Sequence, residues 1–328
     1  MGVERFIGQN KFSINDHNLI IFAVLITLLA VIFALGMGNV SAVPGDTIYV
    51  NGNSTLGNDD WNGESATYQS GIIGPKYSIK NATGTVNTNG QIYIANEQYQ
   101  GINNTGITID KNMTINGESQ TDTIINGTCA NWIFKMYSGI YVTINNITLT
   151  DTQSDQGGAI YNNGGTLTVN NSTFTSNTAN SGGAIYNNDG TLTVNNSTFT
   201  SNTAYYGGAI CNYGSVTVNN STFTSNTASY GGAIANYEST VINNSTFTSN
   251  PANSNGGAIY NYDGTVTVND STFTSNTANS GGAIYNNYAG TVTVTDSTFT
   301  NNTAPNGYGG AIYNDGTLTV DNSTFTNN

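Results

Sequence analysis

One block of about twenty-five residues, restated seven times, decides what this chain can fold into. The run Gly-Gly-Ala-Ile begins at Gly157, Gly182, Gly207, Gly231, Gly256, Gly281 and Gly309, at spacings of 25, 25, 24, 25, 25 and 28 residues. A sustained period of this length marks stacked supersecondary units that cannot bury a hydrophobic face alone. Phenylalanines keep the same beat at Phe174, Phe199, Phe223, Phe247, Phe273, Phe299 and Phe325. An asparagine follows each three residues later, at Asn177, Asn202, Asn226, Asn250, Asn276, Asn302 and Asn328. Nothing is ever inserted between the position of Leu192 and that of Ala204, whereas length changes gather near Ser215, at Tyr288-Ala289 and around Pro305-Asn306. Segments of fixed length read as strands in register, and segments that stretch read as turns on the outside of the stack.

Within a block, apolar and polar residues alternate over short runs. Leu192 and Val194 fall on one side and Thr191 and Thr193 on the other, while Phe199 lies between Thr198 and Thr200. This is the period of a strand. Three short strands per block follow, separated by turns rich in Asn, Gly and Asp. Ile185, Leu192, Val194, Phe199 and Ala204 are too little for a core, so each block must lie on the last, about 4.8 Å away. The expected fold is all-β, a three-sided parallel β-helix. Asn187 with its six equivalents, and Asn202 with its six, are expected to form buried amide columns that bond along the stack and to the turn backbone. Seven copies of a corner residue fit a structural role better than a ligand site.

The chain divides accordingly. Residues 1–42 hold Arg5, Lys11 and His17, then an apolar run from Leu19 to Leu35 broken only by Thr27, then small residues up to Ala42. This is either a secretory signal cleaved after Ala42 or an uncleaved membrane anchor, since spanning takes about 20 apolar residues. Both readings put the rest of the chain outside the cell or on its surface. Residues 43–100 read as an amino-terminal cap over the exposed first edge, with strands at Thr47–Val50 and Gln91–Ala95 and a short amphipathic helix at Lys76–Ala82. Residues 101–156 read as degenerate coils, with Leu149 standing in the Phe column. Residues 157–328 are the seven repeats, the last incomplete. Its bottom edge, if uncovered, invites end-to-end contacts.

Charge and cysteine content narrow the function. The formal net charge is −13, and past Lys135 there is no lysine or arginine, although nine acids remain between Asp151 and Asp321. Nucleic acid and other polyanions are poor partners for such a surface. Asn-x-Ser/Thr acceptor sequences at Asn53, Asn81, Asn112, Asn126, Asn146, Asn171, Asn196 and Asn220 suit an exported chain, although in the repeats the corner Asn and the following Ser-Thr create them automatically. Cys129 and Cys211 are 82 residues apart, which at about 4.8 Å per coil is roughly 14 Å of rise and too far for a disulfide. Both are expected to be unpaired core or ladder residues.

The Gly-Gly-Ala-Ile and Phe-x-x-Asn pair resembles the repeat of chlamydial polymorphic outer-membrane proteins. The exported chain, including Gly74-Pro75-Lys76-Tyr77 and Ile115-Asn116-Gly117-Glu118-Ser119-Gln120, resembles the adhesin-like surface proteins of methanogenic archaea. The resemblance implies a pectin-lyase-like right-handed β-helix displayed at the cell surface and used in adhesion, and it brings no catalytic, metal or cofactor residues.

Three function classes follow. The first is a non-enzymatic surface protein whose partners are glycans or other surface proteins, with Tyr161, Tyr186, Tyr260, Tyr285 and Tyr313 forming one outward stripe, interrupted by Cys211 and Ala235. Such rings either stack on sugars or pack on one another. The second is a carbohydrate lyase or hydrolase on the same fold. The chain beyond residue 42 has no histidine or arginine and only Lys76, Lys80, Lys111 and Lys135, so its acid pairs, Asp151 with Asp155 and Asp263 with Asp270, lack cationic support. The third is ice or crystal-surface binding through Thr-x-Thr arrays such as Thr191/Thr193 and Thr265/Thr267, with Ser215 and a shifted Thr240-Val241-Ile242 expected to interrupt the first array. Threonine is also simply a good outward strand residue.

Overall fold

Leu192 and Val194 lie directly beside Leu167 and Val169 of the coil before and Val216 and Val218 of the coil after. The computed structural model describes residues 45–328, and the leader or anchor reading of residues 1–42 lies outside them. Among the described residues no helix is long and apolar enough to cross a membrane.

Every long-range strand pairing along the coils is parallel and joins like positions one coil apart. The Phe column runs in a ten-stranded sheet, in which Tyr99, Ile125 and Leu149 precede Phe174. Phe174, Phe199 and their successors down to Phe299 are fully buried. Their rings stack at 4.7–4.8 Å with planes within 6° of parallel. The coil rise fixes that spacing, because each ring is held by a backbone one strand away from the next. Burying each such side chain is worth about 1.5–3 kcal/mol, and only the neighbouring coils make the burial complete.

The Ile and the Leu/Val strands share an 18-stranded sheet. In two coils they run together as single strands, Ile185–Asn195 and Ile210–Asn219, where the sequence pattern suggests two strands with a turn between. The missing residue near Ser215 is taken up there, the register shifting between Asn188 and Thr191. A further pairing face occupies the segment after the Asn202 corner. Gln153–Gln156 pairs with Thr178–Ser181, Ala228–Tyr230 pairs with Ala252–Asn255, and single bridges connect the coils between. This segment reads as an outside turn in the sequence, yet its backbone groups sit at strand spacing from their copies and pair with them.

Both asparagine columns are present and fully buried up to the last coil, where Asn314 and Asn328 are exposed. Asn202 Nδ2 donates to Asn226 Oδ1 at 2.9 Å and to the Phe174 carbonyl at 3.0 Å, and Asn202 N–H donates to the same Asn226 oxygen at 3.1 Å. Asn187 Nδ2 donates to Asn212 Oδ1 at 2.8 Å and to the Gly190 carbonyl at 2.9 Å. Two further ladders accompany them: half-buried Asn170, Asn195, Asn219 and Asn243, each donating to the coil above, and buried serines such as Ser197, whose N–H donates to Ser221 Oγ at 3.1 Å. Coil corners at Asn196 and Ser201 have φ of 49° and 55°, a left-handed conformation that Asn and Asp tolerate more readily than Ser. At Gly182 φ is 64° and an added Cβ would fall 2.2 Å from the Ile185 carbonyl oxygen. Only glycine fits there.

The segment read as a cap also joins the columns, since Ile48 and Val50 pair with Ile92 and Ile94, and Ile92 with Ile115. The helix is Ile79–Thr85, three residues later than its amphipathic pattern suggests. Asp59 sets its start, accepting from the N–H groups of Tyr77 and Ser78 and from Ser78 Oγ at 3.0, 2.8 and 2.8 Å. Ile79, Ala82 and Val86 then enter the same core as Ile48 and Ile92. Two expectations are corrected. Cys129 is free but exposed, on a left-handed turn rather than in the core, while Cys211 is free and buried. Thr240-Val241-Ile242 is not shifted: Thr240 pairs with Val216 and Val266, pointing inward at zero exposure, and Val241 takes the outward threonine position.

Candidate functional site

The five one-per-coil tyrosines occupy one column outside the Ile strands, in register through Tyr161↔Tyr186↔Cys211↔Ala235↔Tyr260↔Tyr285↔Tyr313. Alternation along each strand turns them away from the main core, as Ile185 faces it. The column is not an exposed stripe, however. Tyr186 and Tyr260 are each only 7% exposed, and with Cys211 and Ala235 they form a second apolar cluster on the outside of the wall.

Neighbouring tyrosines that are off the repeat position cover that cluster. Where the column holds the small Cys211 and Ala235, tyrosine stands two residues later, at Tyr213 and Tyr237, in place of Asn188. These rings fold over the gap and stack at 4.1 Å and 8°. Tyr206 and Tyr230, at the end of the preceding segments, close the other side and stack at 5.4 Å. From Tyr161 the contacts run through Tyr186, Tyr213, Tyr237, Tyr206, Tyr230, Tyr260 and Tyr285 to Tyr313 without a break. Tyr205, Tyr262, Tyr288 and Tyr308 lie on the fringe, 44–84% exposed. Tyr205 and Tyr262 touch the cluster, and Tyr308 touches Tyr313.

Desolvation sets the chemistry of the covered rings. Burial is the main cause raising the hydroxyl pKa of Tyr186, Tyr213, Tyr237 and Tyr260 above the ordinary value, with neighbouring phenols adding to it. Burial likewise pushes the Cys211 thiol up, so it stays a protonated, inert filler. For Tyr313 the leading cause is the hydrogen bond from its hydroxyl to the Asp315 carboxylate, 3.0 Å long.

At its upper end the column continues into Lys135, the register partner of Tyr161. Its ammonium lies 4.6 Å from the centre of the Tyr161 ring and also faces Trp132 and Tyr137. The acids considered for catalysis are placed as corner and surface groups. Asp151 sits at a left-handed corner, φ 53°, accepting from Asn126 Nδ2 at 2.9 Å, Asp155 accepts from Asn180 Nδ2 at 3.3 Å, and Asp270 is another such corner, φ 49°. Among the described residues no three His, Cys, Asp or Glu side chains are grouped so that they could hold a metal ion. The threonines do align coil on coil, Thr168, Thr193 and Thr217 in one file, and Val241 breaks that file.

The one-per-coil tyrosines were visible as a period, and the cover was not, because tyrosine stands at the Tyr206/Tyr230 and Tyr213/Tyr237 positions in only two or three repeats. The available signal was compensation, a tyrosine lost at one position reappearing two residues on.

No curated protein matches the chain significantly. The family described as right handed beta helix region matches residues 157–328, just over half of the 328 residues. With the parallel coils, stacked phenylalanines and amide columns, that match places this chain in the right-handed β-helix family.

Proposed function

We propose that this protein is a non-enzymatic cell-surface β-helix that makes many weak contacts with glycans, in the manner of an adhesin. The tyrosine face carries the reading. A packed inner layer of rings holds the exposed fringe rings Tyr205, Tyr262 and Tyr308 on a rigid sheet, so little ordering entropy is lost on binding. Tyrosine combines an apolar face with a hydrogen-bonding tip, which suits a sugar ring. Several such rings spaced along the stack turn weak contacts into avidity. The repeat's resemblance to chlamydial polymorphic outer-membrane proteins and to methanogen adhesin-like proteins supports a surface role, and the acidic balance of −13 disfavours nucleic acid as a partner.

The test is adhesion of the full chain, immobilised on beads, to whole cells and glycan arrays. A variant carrying Tyr205→Ser, Tyr262→Ser and Tyr308→Ser changes only fringe rings and should lose most binding with unchanged circular dichroism. Unchanged binding by that variant would remove the tyrosine face as the contact surface. Release of new reducing ends or unsaturated sugars from a polysaccharide panel, abolished by Asp151→Ala, would overturn the non-enzymatic reading.

A further inference from the structure

A cleft of about 500 Å³ opens where the irregular coils meet the first regular repeat, lined by Trp132, Lys135 and Tyr161 together with Gln153, Asp155 and Asn180. Its size is that of a site for a small ligand. Two hydrogen-bond donors among its lining residues are unmatched. Trp132 Nε1–H is buried and has no partner, the one such side-chain atom among the described residues. The Lys135 ammonium makes no ion pair or hydrogen bond among the described residues and is held instead over three rings, 4.6 Å from Tyr161, 5.3 Å from Tyr137 and 5.5 Å from Trp132. Buried donors are normally satisfied, so an orphan beside a cation that has rings around it but no acceptor points to an acceptor supplied from outside. Lys135 is also the last cation of the chain, in a surface otherwise acidic from there on. Across the cleft, exposed Asp155 accepts a hydrogen bond from Asn180 Nδ2 at 3.3 Å and keeps lone pairs for further donors.

We propose that this cleft seats the end of a glycan whose last sugar carries an anionic oxygen group. The group accepts from Lys135 and from Trp132, in the manner of a charge-assisted pair. The sugar ring lies beside Tyr161, whose face Lys135 already covers, and its hydroxyls donate to Asp155. Asp155 argues against a bare anion, which it would repel, and favours a hydroxylated ring. The proposal rests on the glycan-binding reading above and adds a charge class and a position at the head of the tyrosine column.

The experiment titrates the full chain with three trisaccharides that differ only in the last sugar, neutral, uronic acid or sulfate ester, and with inorganic sulfate, following calorimetry and tryptophan fluorescence. The two charged ends should each bind at least about tenfold tighter than the neutral one, the scale of one charge-assisted contact. Lys135→Met should erase that preference, Lys135→Arg should keep it, and Trp132→Phe should weaken the charged probes by about threefold to tenfold. Equal affinity for charged and neutral ends, a preference that survives Lys135→Met, or inorganic sulfate binding as tightly as the sulfated sugar would each overturn the proposal. Whole-cell adhesion separates the two readings: intact adhesion without charge preference defeats the cleft alone, and loss of all glycan binding defeats the broader function.

Discussion

Tyr213 and Tyr237 stack at 4.1 Å with their planes 8° apart, directly over the position where two successive coils carry Cys211 and Ala235 instead of tyrosine. The two substitutions in each coil are one event in space, a ring removed from the column and returned from the side. Restoring the column alone should therefore overpack it. Ala235→Tyr is expected to lower stability by about 1–3 kcal/mol, and Ala235→Tyr combined with Tyr237→Asn, which restores the Tyr-x-Asn arrangement of Tyr186 and Asn188, should recover most of the loss. Urea midpoints of the three proteins measure the coupling, and additive losses would show that the rings do not compete for one space.

The buried amide ladder should be far more costly to break than the half-buried one. Asn226→Ala removes the acceptor of the Asn202 N–H and the donor to the Phe199 carbonyl, both in a fully buried corner. At about 1–3 kcal/mol for each unsatisfied group, the loss should reach roughly 3–5 kcal/mol. Asn219→Ala, in the half-buried ladder, should cost about 1 kcal/mol or less, because water replaces the lost partner. Denaturant midpoints of the two variants that coincide would refute the distinction.

Thr240 offers a prediction of opposite sign. It fills the inward Leu/Val position with a buried hydroxyl that donates to Asn236 Oδ1 at 2.7 Å. That oxygen already accepts from Asn212 Nδ2 at 2.9 Å, and Asn212 Nδ2 keeps other acceptors, including the Gly214 carbonyl. Thr240→Val leaves no essential group unpaired and adds apolar burial beside Val216 and Val266. It should stabilise the chain by about 0.5–1 kcal/mol. A lowered thermal midpoint would show that the hydroxyl holds the ladder in place.

Alkali should unfold the chain through its tyrosine face. Burial raises the hydroxyl pKa of Tyr186, Tyr213, Tyr237 and Tyr260 above the ordinary value of 10.0. The folded state therefore keeps protons that the unfolded chain releases first, so this contribution is fully present below about pH 10 and is lost as pH rises through the raised values. Stability measured in urea should hold level from about pH 7 to 9 and fall above about pH 10. Tyrosinate absorbance from the cluster should grow together with the loss of circular dichroism. A midpoint that stays level above pH 10 would show that these rings are not desolvated.

The fold was legible because it is periodic. Once Phe199 and Phe223 recur at one beat, stacking is the only arrangement that buries both, and the same logic reached Leu149, one coil before Phe174 and eight residues before Gly157. The in-register asparagines at Asn187 and Asn202 followed for the same reason, since a corner amide repeated every coil meets its copies at hydrogen-bonding distance. What resisted the sequence lies off the period. The pairing of Thr178–Ser181 with its neighbours, the inward Thr240, the exposed Cys129 and the cover formed by Tyr206, Tyr213, Tyr230 and Tyr237 each depend on which side chains meet across coils.

The amino-acid sequence by itself determined the coil, its length, its columns and, Thr240 and Cys129 apart, which residues face the core, because a repeat in one dimension becomes a contact in the next. Tertiary structure alone decided which outward residues are free to bind. Tyr186 and Tyr205 are both outward tyrosines, yet Tyr186 is 7% exposed and Tyr205 50%. Alternation along a strand sets only the direction of a side chain, and its access to solvent is set by rings contributed from other coils.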